Sequence, residues 1–461
     1  MSIWQKKTLN DMLDSAEQSG LRKNLNAIDL AALGIGSVVG TGIFVSTGMG
    51  AQLAGPAVLI SFIVAAITSA LCALTYAELA TMFPVAGSTY SYSYVAFGEV
   101  IAWIIGWDLM LEYLVSASAV ASGWSGTFVG LLSSAGITLP TQITRTPMMG
   151  GFMDLPAISI TLFVTYVLYV GIKESAKLNN IIVLIKIFVI LLFIALGVFH
   201  IHVVNFKPFA PYGWKGIMAG ASIIFFAYIG FDAVSTAAEE TINPKRDVPM
   251  GLAITLGVVI VLYIAVAIVL TGMVPFKEIS VNNAVPGALA TVGINWGAAF
   301  VGTGAVIGMI STLLVTLYGQ IRIFMVMARD GLLPKVFSTV HPVHKTPHIC
   351  TLITGISTAV MAGFLPLNVI IELCNIGTLF AFVLVSLGII VLRRTMPNVE
   401  RKFRCPWVPL VPILTIASCL YLMLSLPLVT WIRFGVWLFV GLIIYFMYGK
   451  NHSVLQKSVL K

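Results

Sequence analysis

Two apolar stretches of this chain carry backbone that an unbroken membrane helix would not tolerate. The first, 27–54, contains Gly34-Ile35-Gly36-Ser37-Val38-Val39-Gly40-Thr41-Gly42-Ile43-Phe44. The second, 217–238, contains Phe225-Phe226-Ala227-Tyr228-Ile229-Gly230-Phe231-Asp232. In hydrocarbon each unpaired N–H or C=O costs several kcal/mol, so such backbone survives only facing protein, water or a polar ligand. The spacing predicts N–H groups of Gly36 to Gly42 at the start of a half-helix beginning near Ile43. A helix N-terminus carries about half a positive charge and suits a carboxylate. The same glycines, as Gly36-x-x-x-Gly40, also serve close helix packing. A dinucleotide fingerprint is excluded, because no strand precedes them. The second break offers the carbonyls of Phe226, Ala227 and Ile229 to an ammonium group. Donors and acceptors in one site match a zwitterion, and an α-amino acid is the commonest small one. Phe226 and Phe231 either shape that pocket or belong to the core.

The other chemistry-bearing residues are few. Lys186 stands roughly 12 Å inside a segment starting near Leu178, too deep to snorkel easily. An ionisable group at that depth is a functional-site hypothesis by default. It either gains and loses a proton during transport or pins helices together through carbonyls. Asp108, Glu112 and Asp232 are the intramembrane acids, with Glu112 one helical turn after Asp108. Either can pair with Lys186 or carry protons, and Asp232 can anchor the break through its own backbone. Glu78, Glu239 and Glu240 fall near segment ends, as a gate or a solvated face. Met309, Ser311, Thr312 and Thr316 share the long eighth segment, where Met309 either trims the pocket or packs. His341, His344 and His348 have metal-like intervals, but Pro342 and Pro347 break any helix between them. Five cysteines show no paired spacing. No nucleophile elbow, P-loop or metal motif is present, so neither enzyme chemistry nor a cofactor is expected.

The elements that must position these residues follow from composition. Of 461 residues 59% are hydrophobic and 10% charged, far from the roughly 25% charged residues of soluble domains. Windows of about 20 apolar residues give twelve segments, near 27–54, 56–83, 97–125, 157–172, 178–200, 217–238, 249–272, 296–328, 350–364, 366–391, 407–427 and 431–449. Twenty of the 26 basic residues fall on the side of the N-terminus, so both termini are expected in the cytoplasm. The net charge of +8 is explained by these short loops, not by nucleic-acid binding. Pro84-Val85-Ala86-Gly87-Ser88-Thr89-Tyr90-Ser91-Tyr92 reads as an interfacial or re-entrant connector. Laying segments one to five over six to ten puts a broken segment first in each half, with opposite orientations. That is the pointer to an inverted-repeat transporter. The expected organisation is a leader at 1–26, a first five-helix repeat at 27–200, a second at 217–391, two further helices at 407–449 and a tail at 450–461.

Gly40-Thr41-Gly42-Ile43-Phe44 after a basic leader, Phe226-Ala227-Tyr228-Ile229-Gly230-Phe231-Asp232, and Glu239-Glu240-Thr241-x-Asn243-Pro244-x-x-Asp247-x-Pro249 together resemble the amino acid-polyamine-organocation transporter superfamily. The match is to its cationic amino acid transporter branch in bacterial form. The resemblance implies an all-α membrane protein of the five-plus-five inverted-repeat (LeuT-like) fold, with helices 1 and 6 discontinuous. It implies that the substrate carboxylate meets the backbone of Val38, Thr41 and Gly42, and the amino group the carbonyls of Phe226, Ala227 and Ile229. A lysine of segment five stands in that branch where sodium-coupled relatives hold sodium, and Lys186 falls there. The expectation is therefore a proton-coupled importer of small neutral L-amino acids such as alanine, in the cell membrane. The alternatives are a cationic amino acid transporter, a proton-independent exchanger, or a membrane sensor that moves nothing. Protons, amino acid and lipid are the expected partners, with an accessory membrane subunit left open.

Overall fold

A computed structural model describes residues 4–7, 23–83, 88–171, 176–344 and 346–458. Most of the leader, the Pro84–Gly87 part of the connector, Lys173, Lys345 and the last three residues lie outside the described residues. Among the described residues the chain is helical, with two isolated β-bridges, Leu25 to Thr241 and Thr144 to Asp154.

The first helix, α1 (Ala27–Val38), starts on a capping box. Asn26 Oδ1 accepts from the amides of Ile28 and Asp29, and Asp29 Oδ2 accepts from Asn26 N, satisfying amides that the first turn leaves orphaned. It stops at Val39, which is extended (φ −76°, ψ 100°). A single π-helical turn, Gly42–Ser46, resumes the chain and leads into α2 (Thr47–Ala54). Gly55 then turns the backbone with φ 66°, so the apolar run Gly42–Met82 folds back rather than continuing straight. α3 (Val58–Met82) returns alongside.

There follow α4 (Ser88–Ala96), α5 (Glu99–Ser134), α6 (Leu155–Val170), α7 (Ala176–Gly197) and α8 (Gly213–Ile224). After α8 the chain tightens into a 3₁₀ turn, Phe225–Tyr228, then extends at Ile229 and passes Gly230 at φ 109°. The short α9 (Ala233–Thr236) closes this second discontinuous unit. The remainder is α10 (Pro244–Met273), α11 (Ala284–Thr291), α12 (Asn295–Arg329), α13 (His348–Phe364), α14 (Leu367–Thr395), α15 (Leu410–Leu424), α16 (Leu428–Ile444) and the short α17 (Lys450–His452) and α18 (Val454–Ser458). Eight helical stretches among the described residues are long and apolar enough to cross a membrane, and four more are shorter and apolar.

From Ser88 on, the aromatic connector is helical, as α4. Its tyrosines are buried, with Tyr90 donating to Asp330 Oδ2 (2.6 Å) and Tyr94 to Glu99 Oε2 (2.9 Å).

Both ends of the chain meet here. Glu99 is fully buried at the start of α5, and its carboxylate also accepts from Tyr445 (2.9 Å), Gln456 Nε2 (2.6 Å) and Ser453 Oγ. From the N-terminal side, Glu99 N donates to Gln5 O (3.0 Å), and Lys7 pairs with Asp330 (2.7 Å). α5 packs on α12 and α14, while α1 packs on α10 and α7.

Candidate substrate site

The first break exposes the end of a helix. In a continuous helix the Gly36 carbonyl would accept from Gly40 N, but the last regular bond of α1 is Val39 N to Ile35 O (2.8 Å). The Lys186 ammonium takes that place, donating to Gly36 O at 2.6 Å and to Thr312 Oγ1 at 2.8 Å. A cation belongs at a helix C-terminus, where orphaned carbonyls carry partial negative charge. Lys186 is completely buried, and Gly308 makes room for its stem: a Cβ there would stand 2.9 Å from Lys186 Cγ. Thr312 Oγ1 also lies 3.3 Å from Gly36 O and 3.4 Å from Val39 O. Helices α1, α7 and α12 thus meet at one ammonium.

The second break lies directly against the first. A Cβ on Gly42 would stand 2.4 Å from Ala227 Cα, and one on Gly230 2.8 Å from Ser37 Oγ. Val38 closes α1, and its carbonyl accepts from Tyr263 OH (3.1 Å). Thr41 Oγ1 faces Val120 O (3.4 Å) and Met309 Sδ (3.6 Å). Met309 is fully buried, so its thioether lies against the break itself. The structure thus sets Gly42 against Ala227 and Thr41 against Met309, with Val38 at the end of α1.

The structure adds two details to the sequence reading. The half-helix resumes at Gly42, beside the expected Ile43, and its first turn is π-helical. The three carbonyls are not equivalent, because Phe226 O already accepts from Ile229 N (3.3 Å) across the 3₁₀ turn. That leaves Phe226 one lone pair for an ammonium. Phe231 is buried among aromatics, edge-on to Tyr76 (6.0 Å) and tilted against Phe382 (5.4 Å). It belongs to an aromatic floor at the second break, with Phe225 edge-on to the same Phe382 (6.0 Å). On the far side of the breaks from the termini, a cavity of about 290 Å³ is lined by Met49, Gln52, Met149, Asn282, Asn368 and Glu372, among others.

The acids fall in different settings. The Asp232 carboxylate faces the amides of Gly230, Asp232 and Ala233, as an anchor of the break would. Glu112 is buried beside Thr378 of α14. Asp108 is buried near Gly377, with neither oxygen hydrogen-bonded, so it makes no hydrogen bond to Lys186. Glu240 meets Arg322 at 3.6 Å across the terminal-side ends of the second break and α12, and the Glu239 side chain lies outside the described residues. Glu78 is not on a solvated face: it is buried and gripped by Arg393 (2.7 Å), Arg401 (3.2 Å) and Cys405 N (2.7 Å). His341, His344 and His348 gather around the Tyr169 ring, and His341 Nδ1 accepts from the amides of Val343 and His344.

A model of the amino acid permease family matches residues 25–455. The chain belongs to that family, within the amino acid-polyamine-organocation superfamily. It is a multi-pass membrane protein. A branched-chain amino acid permease of Bacillus subtilis is 47% identical over 462 residues, covering 99% of each chain. A methylthioribose transporter of the same organism is also 47% identical, over 459 residues, covering 99% of this chain and 100% of the relative. A chloroplastic cationic amino acid transporter of Arabidopsis thaliana is 34% identical over 511 residues, covering 95% and 90%.

Proposed function

We propose that this permease imports a small neutral L-amino acid together with protons, by alternating access across the cytoplasmic membrane. The substrate carboxylate binds the backbone of Val38, Thr41 and Gly42. The ammonium binds the free lone pairs of Phe226, Ala227 and Ile229. The observation that supports this reading is the close approach of the two unwound stretches at Gly42 and Ala227, which sets the interrupted backbone of both segments side by side. In this reading the twelve apolar segments all cross the membrane, segments one to five and six to ten are inverted repeats, and both termini are cytoplasmic. The cavity beyond Gln52 is then the external approach to the site.

Coupling is assigned to Lys186, with Glu112 and Asp232 as the acids nearest the moving parts. A charged Lys186 holds the C-terminal end of α1 through Gly36 O and Thr312; a neutral one releases it. The break can then reshape only when the proton leaves. Met309 against Thr41 limits the pocket to short side chains.

Two relatives of equal identity are named for a branched-chain amino acid and for a thiosugar, so the site chemistry, not overall likeness, selects between them. The test is uptake by the purified chain in liposomes, with and without an inward proton gradient. Competitors are alanine, valine, leucine, arginine and methylthioribose. Gradient-driven alanine uptake blocked by small neutral amino acids is the expected result. Dominant arginine competition would move the chain to cationic substrates. A strict need for internal substrate would make it an exchanger, and binding without flux would make it a sensor.

A further inference from the structure

Outside the substrate site, two sulfur atoms face each other in the membrane interior. Cys72 Sγ of α3 lies 3.7 Å from Cys419 Sγ of α15, and both residues are fully buried. The other three thiols point at carbonyl oxygens: Cys350 at Phe337 O (2.8 Å), Cys374 at Glu112 O (3.9 Å) and Cys405 at Pro406 O (3.8 Å). We propose that Cys72 and Cys419 form a redox-sensitive modification site whose closure to a disulfide arrests transport. The effect on transport rests on the function proposed above; the bond itself does not.

The chemistry selects the oxidant. A disulfide needs sulfurs about 2.05 Å apart, so the pair must approach by less than the width of one atom, within reach of small side-chain rotations. Both thiols are fully buried, out of contact with aqueous reagents. The route is therefore a lipid-soluble two-electron oxidant of the quinone class. α15 lies at the lipid boundary: Leu420 and Leu424 are 41% and 72% exposed, so Cys419 sits one layer beneath that surface. Two S–H bonds break and one S–S bond forms. The two electrons and two protons pass to the quinone, giving the hydroquinone.

The position of Cys72 gives the bond its consequence. Tyr76 stands one helical turn further on, its ring edge-on to Phe231 of the second break and its hydroxyl bonded to Thr89 (2.5 Å). On the other side of Cys72, Ser61 Oγ donates to Ile217 O of α8 (2.7 Å). α3 therefore holds the second break at two levels. A covalent bond to α15, which lies outside both repeats, fixes α3 and with it the aromatic floor.

The experiment uses the full chain in liposomes treated with a fully methylated benzoquinone, which has no open ring position for thiol addition. The intact mass is expected to fall by two hydrogens, with a peptide joining Cys72 to Cys419. Uptake is expected to fall roughly tenfold, as for a chain held in one state, and to return with a thiol reductant. Cys72→Ala and Cys419→Ala should each keep their uptake under quinone. The proposal is overturned if both thiols remain free to alkylation after denaturation, if the linked chain transports normally, or if either variant is inhibited as strongly as the unmodified chain. Should a variant fail to fold, peptide mapping of the unmodified chain before and after reductant still decides. A chain without basal uptake overturns the transport reading instead, and the linked peptide continues to decide the bond.

Discussion

The Lys186 ammonium and the Gly36 carbonyl oxygen are 2.6 Å apart, and this contact ties α7 to the point where α1 stops. A buried charge is tolerated only when paired or well hydrogen-bonded, and here a helix end and a threonine supply the bonds. Lys186→Ala is expected to abolish accumulation driven by a proton gradient while leaving some substrate exchange. Gradient-driven uptake and counterflow, measured on the same liposomes, separate the two; full concentrative uptake by the variant would remove Lys186 from coupling.

Gly42 has no space for a side chain. The methyl of Gly42→Ala would stand 2.4 Å from Ala227 Cα and 2.9 Å from its Cβ, forcing the breaks apart at a cost of about 1–3 kcal/mol. Uptake should fall below a tenth of the parent level. Gly257→Ala, in α10 with nothing near its Cβ, should gain up to about 1 kcal/mol from helix propensity. Thermal melts of both purified variants check the contrast, and equal behaviour would refute the close contact.

Shortening Met309 should widen the pocket, because its sulfur touches Thr41 at the first break. In a competition panel, Met309→Ala is expected to bind longer side chains, arginine included, relative to alanine. An unchanged preference would place the specificity elsewhere.

Glu78 is 1% exposed and shared by two arginines. Glu78→Gln keeps the shape but leaves Arg401, itself 4% exposed, without its carboxylate. The expected loss is about 3 kcal/mol, read as a lower melting temperature in detergent. A melt within error of the parent would show that the pair is dispensable.

Asp154 caps α6 through Ala157 N (3.1 Å) and accepts from Ser125 Oγ (2.5 Å). Burial pushes its carboxyl from 3.8 up to about 6 against those bonds. A raised carboxyl favours the folded chain only while protonated, so this contribution is complete below pH 3.8 and lost as pH rises through about 6. Asp154→Asn keeps a capping oxygen and removes the titration. Between those two pH values, melting temperature should fall more in the parent than in the variant; parallel curves would reject the assignment.

The broken helices were legible in the sequence because glycine and polar backbone stand out against hydrocarbon. Lys186 was legible for the same reason: a lone cation in an apolar run needs partners. Those partners were not. Gly36 O and Thr312 lie 150 and 126 residues from Lys186 in sequence, and only packing of α7 between α1 and α12 joins them. Glu78 looked like an end-of-helix acid because Arg393 is 315 residues away. α4 was hidden because its serines and tyrosines resemble turn and interface formers, yet Asp330 and Glu99 accept the hydroxyls of Tyr90 and Tyr94. The facing of Cys72 and Cys419 leaves no mark in spacing at all, since it depends on how α3 and α15 lie side by side.

Glu99 gives the chain's last residues a duty beyond being a tail. Two of the four donors on its carboxylate, Ser453 and Gln456, come from the C-terminal segment, and Gln5 holds the amide of the same residue. Clipping the polypeptide before Ser453 would leave the buried Glu99 side chain with two of its four donors gone. Reporter proteins or purification tags are therefore best spliced beyond Gln456, where the knot that the two ends tie around one acid stays intact.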